Sequence, residues 1–198
     1  MPVVEESGIR NKKLLPIMKA LPQWVCWASH RHPRNNDKIP LDTNNYIQSR
    51  NEFAASDYQS EDIWHTYDEA KRLSLEHGEI DGIGFVIQEY NVCYIDIDNC
   101  VDPDTMEISD EVRSIIEDVN SYAEISVSGE GIHIICNGDL QSYGWNSPDH
   151  SVEISAFDGS WIAVTERHIE GTPVELKNCP EDLEELCERY NFGTYGGW

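Results

Sequence analysis

One stretch of the chain reads Val92-Cys93-Tyr94-Ile95-Asp96-Ile97-Asp98-Asn99, an apolar, strand-like run with two carboxylates two residues apart. Side chains alternate between the faces of a β-strand, so Asp96 and Asp98 project from one face and Ile95 and Ile97 from the other. Two carboxylates on one strand repel each other unless a cation neutralises them, and oxygen ligands favour Mg²⁺ or Mn²⁺. The spacing indicates metal-assisted phosphoryl transfer, although a strand ending in solvent can have the same pattern.

A second polar motif reads Ser126-Val127-Ser128-Gly129-Glu130-Gly131-Ile132-His133-Ile134-Ile135-Cys136. We expect Gly129 and Gly131 to adopt positive φ in a tight connection, with backbone N–H groups turned toward a phosphate. An apolar strand follows, and His133 lies on the face opposite its isoleucines at 132 and 134. The Asp pair shares that face if the two strands are neighbours. His133 then either contacts a ligand or is a histidine hydrogen-bonded within the sheet.

A third polar strand reads Ser151-Val152-Glu153-Ile154-Ser155-Ala156-Phe157 and offers Glu153 as a further carboxylate. Nucleotidyl transfer requires charge neutralisation at the reacting phosphorus, which a pair of metal ions about 3.5–4 Å apart supplies. Three carboxylates suffice to hold such a pair. The three strands together therefore favour two-metal chemistry.

Further motifs accompany these three strands in a fixed order. They are Gln23-Trp24-Val25-Cys26-Trp27, Lys38-Ile39-Pro40, Ala55-Ser56-Asp57, Trp64-His65-Thr66-Tyr67-Asp68-Glu69-Ala70, Asp81-Gly82-Ile83-Gly84-Phe85-Val86, Val164-Thr165 and Glu170-Gly171-Thr172-Pro173. In this order and spacing the chain resembles the archaeo-eukaryotic primase superfamily, specifically the primase-polymerase domains of phages, plasmids and haloarchaeal elements. The resemblance runs from about Leu21 to Pro173.

The resemblance implies a role for each motif. Asp96, Asp98 and Glu153 are the implied catalytic residues, and they would bind two Mg²⁺ or Mn²⁺ ions. The implied nucleotide-binding residues are His133, which would contact the phosphates of the incoming nucleotide, together with Ser126, Ser128, Gly129, Gly131 and Lys38.

The implied activity is template-directed nucleotidyl transfer by a DNA primase or polymerase of a mobile element or virus. Its partners would be a DNA template and primer, nucleoside triphosphates and a helicase in cis or in trans. Two alternatives remain open. One is a non-catalytic replication-initiation or nucleic-acid-binding module with the same fold, and the other is an acidic protein that mimics DNA.

The chain departs from the family pattern after the third motif. Relatives often read Arg-Tyr-Phe-x-Val-Thr-Gly, whereas this chain has Ser160-Trp161-Ile162-Ala163-Val164-Thr165-Glu166. An arginine is therefore missing at Ser160 and a glycine at Glu166. Arg167 and His168 follow directly and could replace the lost phosphate or template contact.

The charge of the chain is unusual for a protein that binds polyanions. Its 198 residues include 14 Lys and Arg against 37 Asp and Glu, a formal net charge of −23. A generic nucleic-acid-binding protein is basic. Either the protein works in a halophilic cytoplasm, where an acidic surface keeps it soluble, or this domain relies on partners to hold DNA.

The order of strands and helices predicts an α+β fold and suits an RRM-like sheet. The resemblance implies the archaeo-eukaryotic primase fold, in which such an antiparallel-rich sheet carries the active site and an N-terminal α/β lobe accompanies it. Residues 1–198 are predicted to form a single catalytic domain, with a lead at 1–20, a core at 21–175, and a helix and tail at 176–198. Besides the strand that carries Asp96 and Asp98, the predicted strands are 24–28, 83–87, 132–137, 151–157 and 161–165. The predicted helices are a short one before Pro22, one from Ser60 to about His77, one from Ser109, and one at 180–190.

The cysteine spacing and the hydropathy of the chain indicate the cellular compartment in which we expect the protein. The six cysteines contain no C-x-x-C pair, so neither a zinc ribbon nor a thioredoxin-like site is indicated, and most are expected to be reduced core residues. No secretory signal or transmembrane run is found, so we expect a cytoplasmic protein with no membrane partner.

Overall fold

A computed structural model describes residues 16–29, 38–87, 92–137, 145–146, 152–155, 160–178 and 193–194, with only the backbone for 145–146, 152–155 and 193–194. The helices are α1 (Pro16–Lys19), α2 (Tyr67–Glu76) and α3 (Asp110–Val119), with a 3₁₀ turn at Glu61–Ile63. The strands are β1 (Trp24–Ser29), β2 (Lys38–Ile47), β3 (Glu52–Ala55), β4 (Gly82–Ile87), β5 (Val92–Ile97), β6 (Tyr122–Ile125), β7 (Ile132–Asn137), β8 (Trp145–Asn146), β9 (Val152–Ser155), β10 (Ser160–Val164) and β11 (Gly193–Thr194).

The strands form two sheets, and the chain divides into two compact units. The first unit comprises residues 1–16, 88–160 and 165–198, and the second comprises residues 17–87 and 161–164. A six-stranded sheet in the order β11-β8-β9-β5-β7-β6 belongs to the first unit. A five-stranded sheet in the order β10-β4-β1-β2-β3 belongs to the second. The α+β class with antiparallel sheets is therefore confirmed.

The six-stranded sheet has one apolar face, which packs on α3. Ile95 of β5 and Ile134 of β7 are fully buried there with Ile115 of the helix. The predicted alternation along β5 and β7 is confirmed, because Ile95 and Ile97 of β5 and Ile132 and Ile134 of β7 pack against α3, whereas Asp96 and His133 lie on the other face. Burying a branched aliphatic side chain contributes about 2 kcal/mol, so this face fixes the register of the sheet.

The predicted helix at 109 begins as expected. The hydroxyl of Ser109 accepts a hydrogen bond from the backbone N–H of Val112 and caps the N-terminus of α3. This bond satisfies one of the four N–H groups that the first turn leaves without a helical partner. The cap and the apolar face of the helix thus agree with the sequence prediction.

The second unit is built around β1. Trp24 is fully buried, and its indole Nε1 donates to the carbonyl of Met18 at 3.0 Å. Its ring also meets Phe85 and Tyr67 edge-on, with centroids 5.3 and 5.0 Å apart. The apolar motif around Trp24 is therefore the core of this unit.

Some predicted elements differ from those observed. The helix expected from Ser60 is a 3₁₀ turn followed by a separate helix, α2, which Thr66 caps by accepting from Glu69 N–H. Strands β2, β3 and β6 and the two-residue strands β8 and β11 were not predicted. The helix expected at 180–190 lies outside the described residues, as do Cys179 and Cys187. The other four cysteines carry free thiols, three of them buried. Within the described ranges, every helix is too short or too polar to cross a bilayer.

Candidate active site

A row of polar residues crosses four strands of the six-stranded sheet. Asp96 of β5 pairs directly with His133 of β7 on one side and with Glu153 of β9 on the other. His133 pairs in turn with Glu124 of β6. Directly paired residues of antiparallel strands lie on the same face, so the register alone places all four residues in one line on the face opposite α3.

Asp96 lies inside this row, and Asp98 follows it just beyond the end of β5. The side chain of Asp96 is 29% exposed, and Asp98, just beyond the end of β5, is exposed. Both carboxylates are close enough to Cys100 to influence its thiol. The pKa of Cys100 is raised from 9.0 to about 11, mainly by burial and to a smaller extent by the charges of Asp96 and Asp98. The predicted carboxylate pair is thus partly open to a ligand.

His133 lies between two carboxylates. Its ring is almost completely buried, with Nε2 at 3.6 Å from Asp96 Oδ1 and Nδ1 at 3.2 Å from Glu124 Oε1. One edge of the imidazole is therefore held inside the sheet, and the other faces the carboxylate pair. The structure brings His133 and Asp96 together as the alternation predicted.

Glu124 is a site residue that the sequence analysis missed. Its carboxylate is fully buried, with Oε1 accepting from Thr165 N–H and Oε2 accepting from Glu166 N–H, each at 2.9 Å. The hydroxyl of Tyr122 also donates to Oε2 at 2.8 Å. A buried carboxylate is tolerated only when such donors satisfy it. The available signal was the alternation Tyr-Ala-Glu-Ile directly before the second motif.

The loop between β6 and β7 differs in part from its prediction. Gly129 has φ +88°, as expected, but Gly131 does not adopt positive φ. Gly131 is required for a different reason, because a Cβ atom there would lie 2.8 Å from the carbonyl oxygen of Ile97 and 2.9 Å from Ser126 Oγ. The second glycine thus allows the loop to approach the end of β5.

The expected phosphate nest in this loop is also corrected. The N–H of Gly129 donates to the carbonyl of Ser126, and the N–H of Glu130 donates to Ser128 Oγ. These two donors are engaged inside the loop. The two serine hydroxyls are hydrogen-bonded to each other at 3.0 Å. The N–H groups of Gly129 and Glu130 therefore hold the turn itself.

The two departures from the family pattern have structural counterparts. Glu166 has φ +59°, the left-handed conformation in which glycine is unstrained, so the backbone keeps the turn without the glycine. Arg167 donates from Nη2 to the carbonyl of Ser126, which places its guanidinium beside the loop that precedes His133. The substituted segment thus still contributes a cation and a turn at this loop.

The donor set fits divalent metal ions in its chemistry. Asp96 and Asp98 supply the hard oxygen atoms that Mg²⁺ and Mn²⁺ prefer, and Glu153 is in register with Asp96. Among the residues with described side chains, no three histidine, cysteine or acidic side chains form a metal-ligand cluster. Glu153 is described by its backbone alone. Lys38 is the first residue of β2, opposite Ser29, and belongs to the second unit.

Comparison with known proteins agrees with the motifs. No family model matches the chain. Over 179 residues, or 87% of this chain, it is 31% identical to a DNA primase-polymerase of the Nitratiruptor phage NrS-1. The chain spans 22% of the length of that relative. The similarity, together with the antiparallel sheet and the order of the motifs, assigns this chain to the archaeo-eukaryotic primase superfamily, among the primase-polymerases.

Proposed function

We propose that this chain is a nucleotidyltransferase domain that synthesises DNA or primers on a DNA template during replication of a phage or another mobile element. The observation that carries the proposal is the row on the open face of the six-stranded sheet, in which Asp96 lies between His133 and Glu153. The identity to a phage primase-polymerase supports it. A helicase partner stays a prediction.

Three carboxylates have the central role in this proposal. Asp96, Asp98 and Glu153 would hold two Mg²⁺ or Mn²⁺ ions. Bound ions would neutralise the charge that develops on the transferred phosphoryl group. Asp96 is partly exposed and Asp98 is exposed, so a primer terminus and a nucleotide have access to them.

His133 and the loop before it would bind the incoming nucleoside triphosphate. The Nε2 edge of His133 faces Asp96, so a phosphate bound there lies next to the carboxylates. Ser126, Ser128, Gly129 and Gly131 would shape the loop. Arg167 is the cation beside this loop, and Lys38 is a further proposed contact to phosphate or template.

Primer extension with labelled nucleotides and Mn²⁺ tests the activity. We expect the wild-type chain to extend a primer and Asp96→Asn to lose at least 100-fold in rate, the order of a lost catalytic charge interaction. Asp104→Asn is the matched control, because Asp104 is an exposed carboxylate in the β5–α3 loop outside the row, and it should keep wild-type activity. Equal extension by wild type and Asp96→Asn would refute the proposal.

DNA binding separates the proposed enzyme from the alternatives. A chain that binds single-stranded DNA in a fluorescence anisotropy assay but extends no primer, with either nucleotide type, would be a non-catalytic module. A chain that does neither and competes with DNA for a DNA-binding protein would be a DNA mimic.

Metal binding can be measured without activity. We expect Mn²⁺ to raise the melting temperature of the wild type and of Asp104→Asn, because an ion that binds only the native state stabilises it. The shift should be lost in Asp96→Asn. A shift of the same size in all three proteins would show that the ion binds elsewhere.

A further inference from the structure

We infer that Glu124 is a positioning residue that fixes the orientation and the tautomer of His133, so that Nε2 is the ring atom presented to Asp96 and to the nucleotide. This inference rests on the proposed function for its purpose. The arrangement itself depends only on the hydrogen bonds of Glu124 and His133.

The first step concerns the proton on the ring. Glu124 Oε1 lies 3.2 Å from His133 Nδ1. A carboxylate only accepts hydrogen bonds, so Nδ1 carries the hydrogen in this contact. The opposite ring nitrogen, Nε2, is then the atom that faces Asp96 at 3.6 Å.

The second step concerns why Glu124 itself does not move. Its oxygens accept from the backbone N–H groups of Thr165 and Glu166 and from the Tyr122 hydroxyl, as described above, and the side chain is fully buried. Two backbone donors fix the plane of the carboxylate. A histidine bonded to so constrained an acceptor has one preferred ring orientation.

The third step concerns the loss of the acceptor. In Glu124→Ala the ring keeps its place in β7 but loses the partner that selects Nδ1–H. In Glu124→Gln the amide oxygen can still accept from Nδ1, while the amide NH₂ faces Tyr122 and leaves Glu166 N–H without its acceptor. Both variants lose stability, but only Glu124→Ala loses control of the ring.

The decisive measurement is the nitrogen spectrum of the histidine rings. The chain has seven histidines, and the spectrum of His133→Gln identifies the signals of His133 in protein labelled with ¹⁵N-histidine. We expect a protonated Nδ1 in the wild type and in Glu124→Gln, and a mixture of ring forms in Glu124→Ala. An Nδ1 without hydrogen in the wild type, or an unchanged ring in Glu124→Ala, would overturn the inference.

Kinetics provide the second arm. We expect Glu124→Ala to raise the KM for the incoming nucleotide about tenfold, the usual order for a lost orienting partner, and Glu124→Gln to stay within about threefold of wild type. Ser121→Ala is the stability control. Ser121 is a buried hydroxyl that donates to Ile135 O and accepts from Lys177 N–H, and it touches neither Glu124 nor His133 in these bonds.

The outcomes separate the two proposals. If Ser121→Ala raises the KM as much as Glu124→Ala, the effect is one of stability and the inference is overturned. If no variant and no wild-type protein extends a primer, the proposed function fails, and the ring spectrum still decides whether Glu124 orients His133. If both Glu124 variants fail to fold, the wild-type spectrum alone decides it.

Discussion

Glu166 occupies a backbone conformation that suits glycine. Its φ of +59° lies in the left-handed region, and its N–H is needed by Glu124 Oε2. A residue with a Cβ atom pays about 1 kcal/mol for this conformation. The chain retains the turn because the hydrogen bond to the buried carboxylate offsets the strain.

The strain at Glu166 can be removed by substitution. We expect Glu166→Gly to raise the free energy of unfolding by about 1 kcal/mol, because glycine adopts positive φ without a steric penalty. Urea unfolding measures the change. Glu166→Ala is the matched control, since it keeps the Cβ atom and should show no such gain. Equal stabilities of the two variants would contradict the assignment of strain to this residue.

Cys26 provides a prediction about pH. The pKa of its thiol is raised from 9.0 to about 12, mainly by burial and in part by the charge of Glu69. The thiol ionises near pH 9 in the unfolded protein but stays neutral there in the folded protein. The contribution of the neutral thiol to the free energy of unfolding is therefore complete below pH 9 and is lost as the pH rises toward 12. Between pH 9 and pH 10.5 the wild type should therefore lose stability more steeply than Cys26→Ala. Between pH 7 and pH 8 the free energies of unfolding of the two proteins should change in parallel. Parallel change between pH 9 and pH 10.5 as well would contradict the prediction.

At the scale of elements, alternation predicted the six-stranded sheet well. Asp96 of β5, His133 of β7 and Glu153 of β9 lie in one register because a period of two leaves one face for the core and one for the polar residues. Glu124 was missed because β6 has only four residues. Its role also depends on backbone donors about forty positions later in the chain, which no local pattern contains.

The hairpin of β2 and β3 was missed for a different reason. Strand β2 contains a proline and several polar residues, and its register with β3 shifts between Asp42 and Tyr46. A bulge of this kind breaks the alternation by which a strand is recognised. The helix expected from Ser60 divided because the chain forms a 3₁₀ turn and starts again at Thr66, whose hydroxyl is the better placed cap.

The contact between β4 and β10 gives a prediction for glycine. A Cβ atom at Gly84 would lie 2.6 Å from Trp161 Cε3 and 2.8 Å from the carbonyl oxygen of Ile162. We therefore expect Gly84→Ala to lower the free energy of unfolding by about 2 kcal/mol through overpacking. Gly78→Ala is the control, because nothing lies within 4 Å of its added methyl group. Calorimetry of the two variants should separate them, and similar melting temperatures would contradict the close packing.

At the scale of the whole molecule, the charge of −23 predicts a response to salt. Repulsion among like charges destabilises a compact state, and the screening length falls from about 10 Å at 0.1 M to about 3 Å at 1 M ionic strength. We expect the melting temperature to rise by several degrees over this range, equally in NaCl and KCl. A constant melting temperature would show that the charges are already compensated. Different melting temperatures in NaCl and in KCl would indicate a specific ion site.

Strand β10 belongs to the sheet of the second unit, although residues 88–160 before it and residues 165–198 after it belong to the first. The chain therefore leaves the first unit after residue 160 and re-enters it at residue 165, because Trp161–Val164 belongs to the second unit. No single cleavage can release either unit with all of its parts. A fragment that ends before residue 160 would lack the edge strand next to β4 and the Thr165 and Glu166 amides that hold Glu124. A minimal version of this protein therefore requires a substitute for the strand at 160–164 and cannot be obtained by shortening the gene alone.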